Sequence, residues 1–222
     1  MESLVTVVVT SCNRLELLLR TIQSFNKMNT YPIAEFIIID DSGNTPAHRQ
    51  ICEWFPTYTK IFNGRNMGLI DSIDRVYPTI RTKYVFHMED DWEFIKPGFI
   101  EPSLKIIENN HMVMQVWISN IHNQPVDTEI QMADEVPYKQ ASLDGMDHLW
   151  HGFTFHPGIR SMRTYKELSP WGQWSPSTDF LAKRECKIGE EYFRKTYRAA
   201  VLMDEYCVHT GGLQSTWNVG QK

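Results

Sequence analysis

No G-x-G-x-x-G fingerprint follows the first β-branched run, and no phosphate-loop lysine motif appears anywhere in the chain. These two gaps exclude the common dinucleotide-binding dehydrogenase and the P-loop kinase. Positive charge is not in excess either: 22 Lys and Arg face 27 Asp and Glu, for a net charge of -5 and a pI near 5.9. The chain therefore lacks the basic footprint of a nucleic-acid binder, and a polyanionic ligand should be small and held locally. No stretch approaches the roughly 20 apolar residues that span a bilayer. Met1-Glu2-Ser3 carries no basic leader region, so no signal peptide is expected. Cysteine is scarce: Cys12, Cys52, Cys186 and Cys207 show neither metal-type nor redox-type spacing, which predicts reduced thiols and a cytoplasmic location. Internal repeats and low-complexity tracts are absent.

What is present suits one large α/β domain: 222 residues, 42% of them hydrophobic and 22% charged, are enough to bury a core. Leu4 to Thr10 is a β-branched strand ending in Ser11-Cys12-Asn13. Leu15, Leu18, Leu19, Ile22 and Phe25 then recur at helical spacing, which predicts a helix over 14–25 capped by Ser11 or Asn13. Phe36 to Ile39 is a second buried strand and ends in Asp40-Asp41-Ser42. Strand, helix and strand in this space make a right-handed βαβ unit with parallel strands. Lys60 to Phe62 is a brief third strand. Asn63 to Gly68 is a turn-rich loop leading into a helix that carries Leu69, Ile70, Ile73, Val76 and Tyr77.

Tyr84 to Met88 is an apolar strand that stops abruptly at Glu89-Asp90-Asp91. In an open α/β sheet, ligands bind at the carboxyl ends of strands. Side chains two apart on extended backbone share a side, so Glu89 and Asp91 are expected to converge while Asp90 turns away. Crowded carboxylates repel, and a divalent cation relieves the repulsion. Oxygen ligands favour Mg²⁺ or Mn²⁺, completed by water and substrate phosphates. A solvated acidic turn is the competing reading of the same three residues.

Further on, a helix should follow Pro97-Gly98, with Pro102 in its first turn and Asn109-Asn110 closing it, and His111 to Ile118 returns to a strand pattern. Residues 119–146 are a polar, irregular or hairpin excursion containing Pro125 and Pro137. Aromatic residues concentrate afterwards, at Trp150, His151, Phe153, Phe155, Trp171 and Trp174, where they either build core or offer faces to sugar rings. Ser177 or Thr178 is expected to cap a helix carrying Phe180 and Leu181, and Tyr197 to Met203 reads as a strand. The stretch from Leu213, with Trp217, reads as a mobile lid or an added tail.

The order of a Val-rich strand ending Thr10-Ser11-Cys12-Asn13-Arg14, a strand ending Asp40-Asp41-Ser42, the Asn66-Met67-Gly68 loop and the Glu89-Asp90-Asp91 terminus resembles the family 2 glycosyltransferases of the GT-A fold. The triplet looks like their Asp-x-Asp motif with Glu in the first place. The likeness is strong over the first half and looser beyond it, through Asp179 and His209-Thr210-Gly211-Gly212. It implies a Rossmann-like, mixed but mostly parallel sheet flanked by helices. Residues 1–118 would be the nucleotide-sugar half and residues 119–222 the acceptor half of one domain. It also implies a metal-dependent, inverting hexosyltransferase that uses a nucleotide diphosphate sugar, a UDP-sugar first, and a carbohydrate or glycoconjugate acceptor near Trp150, His151, Trp171 and Trp174. A nucleotidyltransferase making a nucleotide sugar and a non-catalytic sugar- or nucleotide-binding module are the alternatives.

Carried onto this chain, the resemblance implies that Thr10, Asn13 and Arg14 lie along the nucleoside and diphosphate. Asp41 would accept from a base N–H, as an ionised carboxylate can, and Asn66 and Gly68 would let backbone approach the donor. Glu89 and Asp90 would border the ribose and the metal's waters, and Asp91 would ligate the Mn²⁺ or Mg²⁺ with His209 as second ligand and Glu89 as reserve. Cys207 beside His209 leaves a zinc pair open. For the base that takes the acceptor proton, Asp179 comes first, with a helix-dipole partner as its other reading. Glu190 and Glu191 follow, within helical pairing distance of Lys187, Arg194 and Lys195.

Overall fold

A computed structural model describes residues 3–119, 126–142 and 150–212. In chain order the elements are β1 (Val5–Ser11), α1 (Leu15–Met28), β2 (Glu35–Asp40), α2 (Thr45–Trp54), β3 (Thr59–Phe62), α3 (Leu69–Val76), β4 (Tyr84–Glu89), β5 (Trp92–Phe94), α4 (Ile100–Asn109) and β6 (Val113–Trp117). They continue with β7 (Gln131–Ala133), β8 (Val136–Gln140), β9 (Gly158–Ser161), α5 (Met162–Leu168), a 3₁₀ turn over Trp171–Trp174, α6 (Leu181–Arg194), β10 (Arg198–Leu202) and β11 (Cys207–His209). The sheet order is β3-β2-β1-β4-β9-β6-β10-β8-β7, with β5 and β11 as a separate ribbon. Strands β3, β2, β1 and β4 run parallel, and β9 lies antiparallel between β4 and β6. This is the mixed, mostly parallel α/β architecture expected from the sequence. Strands from both sides of residue 118 share the sheet.

Burial explains the regular part. β1 is Val-Thr-Val-Val-Val-Thr-Ser with every residue buried, because it sits between two strands and under helices on both faces, where β-branched side chains pack well. One core face joins Leu18, Ile22 and Phe25 of α1 to Phe86, Phe94 and Phe99. The other joins Ile70, Ile73 and Tyr77 to Phe153, Phe155, Trp171 and Tyr192.

Some expectations need correction. Neither Ser11 nor Asn13 caps α1; its cap is Arg14, with no side-chain bond. Asn13 has a positive φ of 58°, and its side-chain oxygen accepts from Asn44 at 2.7 Å. Neither Ser177 nor Thr178 caps α6, whose cap is Phe180. Helix α2 buries only Ala47 and Ile51, too thin a stripe to register as a period, although Asn44 caps it and Pro46 opens it. Strand β9 hides in Gly158-Ile159-Arg160-Ser161, where a Cβ on Gly158 would stand 2.1 Å from the Val116 carbonyl oxygen. Only glycine allows that approach. The excursion after Ser119 contains the hairpin β7–β8; its residues 120–125 and 143–149, with Pro125, lie outside the described residues, as does the Leu213 lid with Trp217. Among the described residues no helix is long and apolar enough to cross a membrane.

Candidate active site

The parallel strands bring three polar ends to one edge. Thr10 is level with Glu89, and Ser11 is level with Asp40. Over that edge lies a cleft of about 370 Å³ lined from the first half by Thr10, Cys12, Arg14, Asp41, Asn66 and Gly68, with Glu89 among them. Ser177, Asp179, Phe180, Leu181 and Arg184 close it from the second half.

Asp41 is an organiser of this cleft. Its Oδ1 accepts from Asn63 Nδ2 at 2.7 Å and from the Met67 amide at 2.9 Å. Its Oδ2 accepts from the Gly68 amide at 2.7 Å, which leaves that oxygen room for one further donor. Gly68 sits at φ 89°, where a Cβ would be strained, so glycine turns the loop into α3.

The acidic triplet does not divide by strand alternation: β4 ends at Glu89, which lines the cleft, while Asp90 and Asp91 lie in the turn that follows and both bond Arg14. Asp90 is fully buried and faces the start of α1. There it accepts from Arg14 Nε at 3.1 Å and makes a second contact with Arg14 Nη2. Burial pushes its carboxyl up to about 6 against the pull of Arg14. Asp90 is thus a clamp on Arg14 and does not line the cleft. Arg14 lines it, but its guanidinium is engaged by Asp90 and, at 2.9 Å, by Asp91 Oδ2, not extended along a ligand. Glu89 faces the cleft; burial, then Asp91 and Glu185, push its carboxyl up to about 8.

Asp91 is the residue the fold treats most unusually. It is only 5% exposed, and its Oδ1 is buried with no hydrogen-bond partner among the described residues. His209 Nε2 stands 3.3 Å from Oδ2. The β5–β11 ribbon makes this meeting: Trp92 pairs with His209, and the Thr210 amide bonds the Asp91 carbonyl at 2.8 Å. Gly211 then packs so closely that a Cβ would lie 2.4 Å from Asp91 Oδ2. That glycine serves close approach. A buried carboxylate oxygen without a donor is costly and suits a hard cation; the oxygen that faces the borderline imidazole is the other one, Oδ2, which Arg14 also meets. Among the described residues no group of three or more His, Cys, Asp or Glu converges, so the protein could offer two ligands and leave the rest to substrate oxygen and water. Cys207 is fully buried in the core and burial raises its thiol well above the ordinary range, so the zinc pair with His209 falls away.

The remaining expectations divide. Asp179 reaches the cleft; Lys183 at 2.8 Å, then the Ser175 hydroxyl at 2.7 Å, hold its carboxyl below the ordinary range. Glu190 and Glu191 instead pair with Arg194 at 2.5 Å and 2.6 Å along α6, away from the cleft. None of the four aromatic residues expected at the acceptor lines this cleft, and of them only Trp171 is fully buried. Trp171 is core, its indole donating to Tyr192 at 3.1 Å. Trp150 packs on Trp117, His151 stacks on Phe193 at 4.1 Å, and Trp174 donates to the Leu168 carbonyl at 2.8 Å. The aromatic ring that does meet the cleft is Phe180, 65% exposed. Asn13 does not line it.

Two residues escaped sequence reasoning. Arg184 occupies the same buried α6 stripe as Ile188 and Tyr192, and a charge inside an apolar stripe was the available signal. Glu185 sits behind Glu89, accepting from the Phe155 amide at 2.7 Å, and burial pushes its carboxyl up to about 7. A carboxyl whose folded value is raised holds its proton more tightly when folded. Its stabilisation is complete below the unfolded value of about 4.5 and disappears as pH rises through about 7. Glu185→Gln should therefore reduce the fall in melting temperature over that window, by about 2–4 °C per kcal/mol recovered. An unchanged slope in melts from pH 5 to pH 8 would remove Glu185 as a cause.

The profile described as Glycosyl transferase family 2 matches residues 6–168. Curated proteins gave no match. Among solved structures, GalNAc-T7 with UDP, GalNAc and Mn²⁺ superposes with a TM-score of 0.66 at 14% identity, over 92% of this chain and 42% of that one. The mannosyltransferase PcManGT from Pyrobaculum calidifontis, in complex with GDP-Man and Mn²⁺, gives 0.66 at 15%, over 99% of this chain and 61% of that one. This chain thus spans less than two thirds of either neighbour. At such identities the likeness shows the fold, which is GT-A.

Proposed function

The chain belongs to glycosyl transferase family 2, and from that premise we propose a metal-dependent glycosyltransferase that moves a hexose from a nucleotide diphosphate sugar, a UDP-sugar by preference, onto a carbohydrate acceptor with inversion. One observation carries the reading: a nearly buried Asp91 carboxylate whose Oδ1 has no partner among the described residues and whose Oδ2 stands 3.3 Å from His209, next to the cleft-lining Arg14. Mn²⁺ or Mg²⁺ held by Asp91 and His209 would supply positive charge for the leaving diphosphate. Both solved neighbours contain Mn²⁺, one with UDP and one with GDP-Man.

Residues 1–118 form the donor half on this reading. Asp41 offers its free acceptor capacity to a base N–H, while Thr10, Asn66 and Gly68 border the nucleoside. Arg14, held by Asp90 and Asp91, fixes the carboxylates in place and does not reach for the phosphates. The second half supplies the acceptor side. Phe180 gives a ring face, and Asp179 takes the acceptor hydroxyl proton as the anomeric bond to oxygen forms and the bond to the diphosphate breaks. Glu89, largely protonated at neutral pH before metal binds, is a hydrogen-bond donor to ligand oxygen.

A thermal-shift panel of UDP-, GDP-, CMP- and dTDP-sugars, each with and without Mn²⁺, tests this. UDP-sugars with Mn²⁺ should raise the melting temperature most, because ligand bound only to the native state stabilises it by mass action. A GDP-sugar winning would change the donor. No shift with any nucleotide would remove the transferase reading, and pyrophosphate among the products would replace it with nucleotidyl transfer.

A further inference from the structure

Resting on the reading of the cleft as a donor site, we propose that Arg184 is the cation that binds a substrate oxyanion, a phosphate or a sugar carboxylate, from the wall opposite the acidic triplet. Two arginines line the cleft. Arg14 is engaged by two carboxylates, as described above. Arg184 is only 5% exposed, and the one side-chain bond it makes to the described residues is the 3.4 Å contact of Nη2 with Asp71 Oδ1. Its Nε is buried with no partner.

A guanidinium presents five N–H donors in a rigid fork suited to bidentate phosphate or carboxylate. Buried donors left unmade are expensive, so a nearly buried arginine that uses one donor at long range is poised for a second acceptor. Neighbouring acids do not supply it. Asp74 is occupied by the Trp171 and Gly172 amides at 2.9 Å and 2.7 Å and by the Tyr165 hydroxyl at 3.1 Å. Asp179 is engaged with Ser175 and Lys183. Asp71 is about one-third exposed in its side chain, and so shares its charge with solvent.

The position also suits the ligand's charge. Asp41 and Asp179 make the cleft wall acidic, and an anion entering it needs a cation beyond one metal. Asp71 holds the fork against α3 at the first turn after Gly68, while α6 delivers it from the other wall. Closure of the fork on an oxyanion therefore ties the two halves of the chain together across the bound substrate.

The test uses calorimetry on the intact chain with Mn²⁺ and three probes: UDP, UDP-glucose and UDP-glucuronic acid. Arg184→Gln should weaken at least one of them by roughly 10- to 100-fold, and Arg184→Lys, which keeps charge without the fork, by less. Equal losses for all three place Arg184 on the diphosphate; a loss confined to UDP-glucuronic acid places it on the sugar carboxylate. If Arg184→Gln does not fold, Arg184→Lys and Asp71→Asn carry the test, the latter expected to tighten the same probe. Unchanged affinities in the folded variants, with the wild type binding normally, would overturn the inference. A wild type that binds none of the probes would instead reject the donor-site reading beneath it.

Discussion

Replacing Asp91 by alanine is expected to abolish Mn²⁺-dependent donor binding, by at least about 100-fold, while the fold survives. The two effects separate because Asp91 has two kinds of partner. Arg14 keeps its contacts with fully buried Asp90 when Asp91 is gone, so no buried charge is stranded, the event that makes broken internal ion pairs costly. The cation, by contrast, is left with a single imidazole that is nearly half exposed. It would have to draw its other ligands from water and phosphate, which suits a weak ion pair in solution better than a site. Asp91→Asn sharpens the experiment, since an amide oxygen still accepts from Arg14 Nη1 but carries no charge. Donor affinity measured by calorimetry with and without Mn²⁺, beside a melting curve, reads both effects. Wild-type metal dependence in the folded alanine variant would end the case for this site.

Asp179→Asn should spare donor binding within about twofold and lower the rate of transfer by roughly 10² to 10⁴, the range for loss of a positioned base. The structure makes the contrast sharp. Asp179 approaches the cleft from the second half, apart from Asp41 and Gly68, and asparagine keeps an acceptor for the Ser175 hydroxyl. Lys183 does not disqualify the carboxylate: that lysine is half exposed, and an exposed pair is weak and screened. An entering hydroxyl can therefore compete for Oδ1. Since Lys183 and Ser175 hold the carboxyl below the ordinary range, the base is ionised at neutral pH, and any acid limb in the rate profile near neutrality must come from another group. Full turnover in the asparagine variant would take the role from Asp179. It would not pass to Glu190 or Glu191, whose partner is Arg194 on the outer turn of α6.

The aromatic residues show where reading a sequence fails. Trp150, Trp171 and Trp174 sit among prolines and glycines, a setting that suggests an exposed binding loop. In all three the indole N–H nevertheless donates to an acceptor inside the domain. Phe180, unremarkable in a helical pattern, is the ring left in the cleft. A side chain's type states what it can contact; only the packing of neighbours states whether the contact is already made.

The triplet shows the opposite case. The abrupt end of an apolar run places all three acids at a sheet edge, although Asp90 and Asp91 fall in the turn after β4, where strand alternation no longer applies. What alternation could not supply is the partner of Asp90. Arg14 lies 76 residues earlier in the chain, and two segments so far apart meet only because β1 and β4 are neighbours in the sheet.

From the chain's own chemistry came the buried strands and the polar residues at their carboxyl ends, because these depend on side-chain volume and a backbone period of two or 3.6. Tertiary structure decided which of those residues remain available to a ligand. It carried His209 to Asp91 on a short ribbon, spent Arg14 on two carboxylates, sank Trp171 into the core and left Arg184 with a buried Nε that has no partner among the described residues. Availability is a property of neighbours brought together across long stretches of chain, and local pattern contains no record of them.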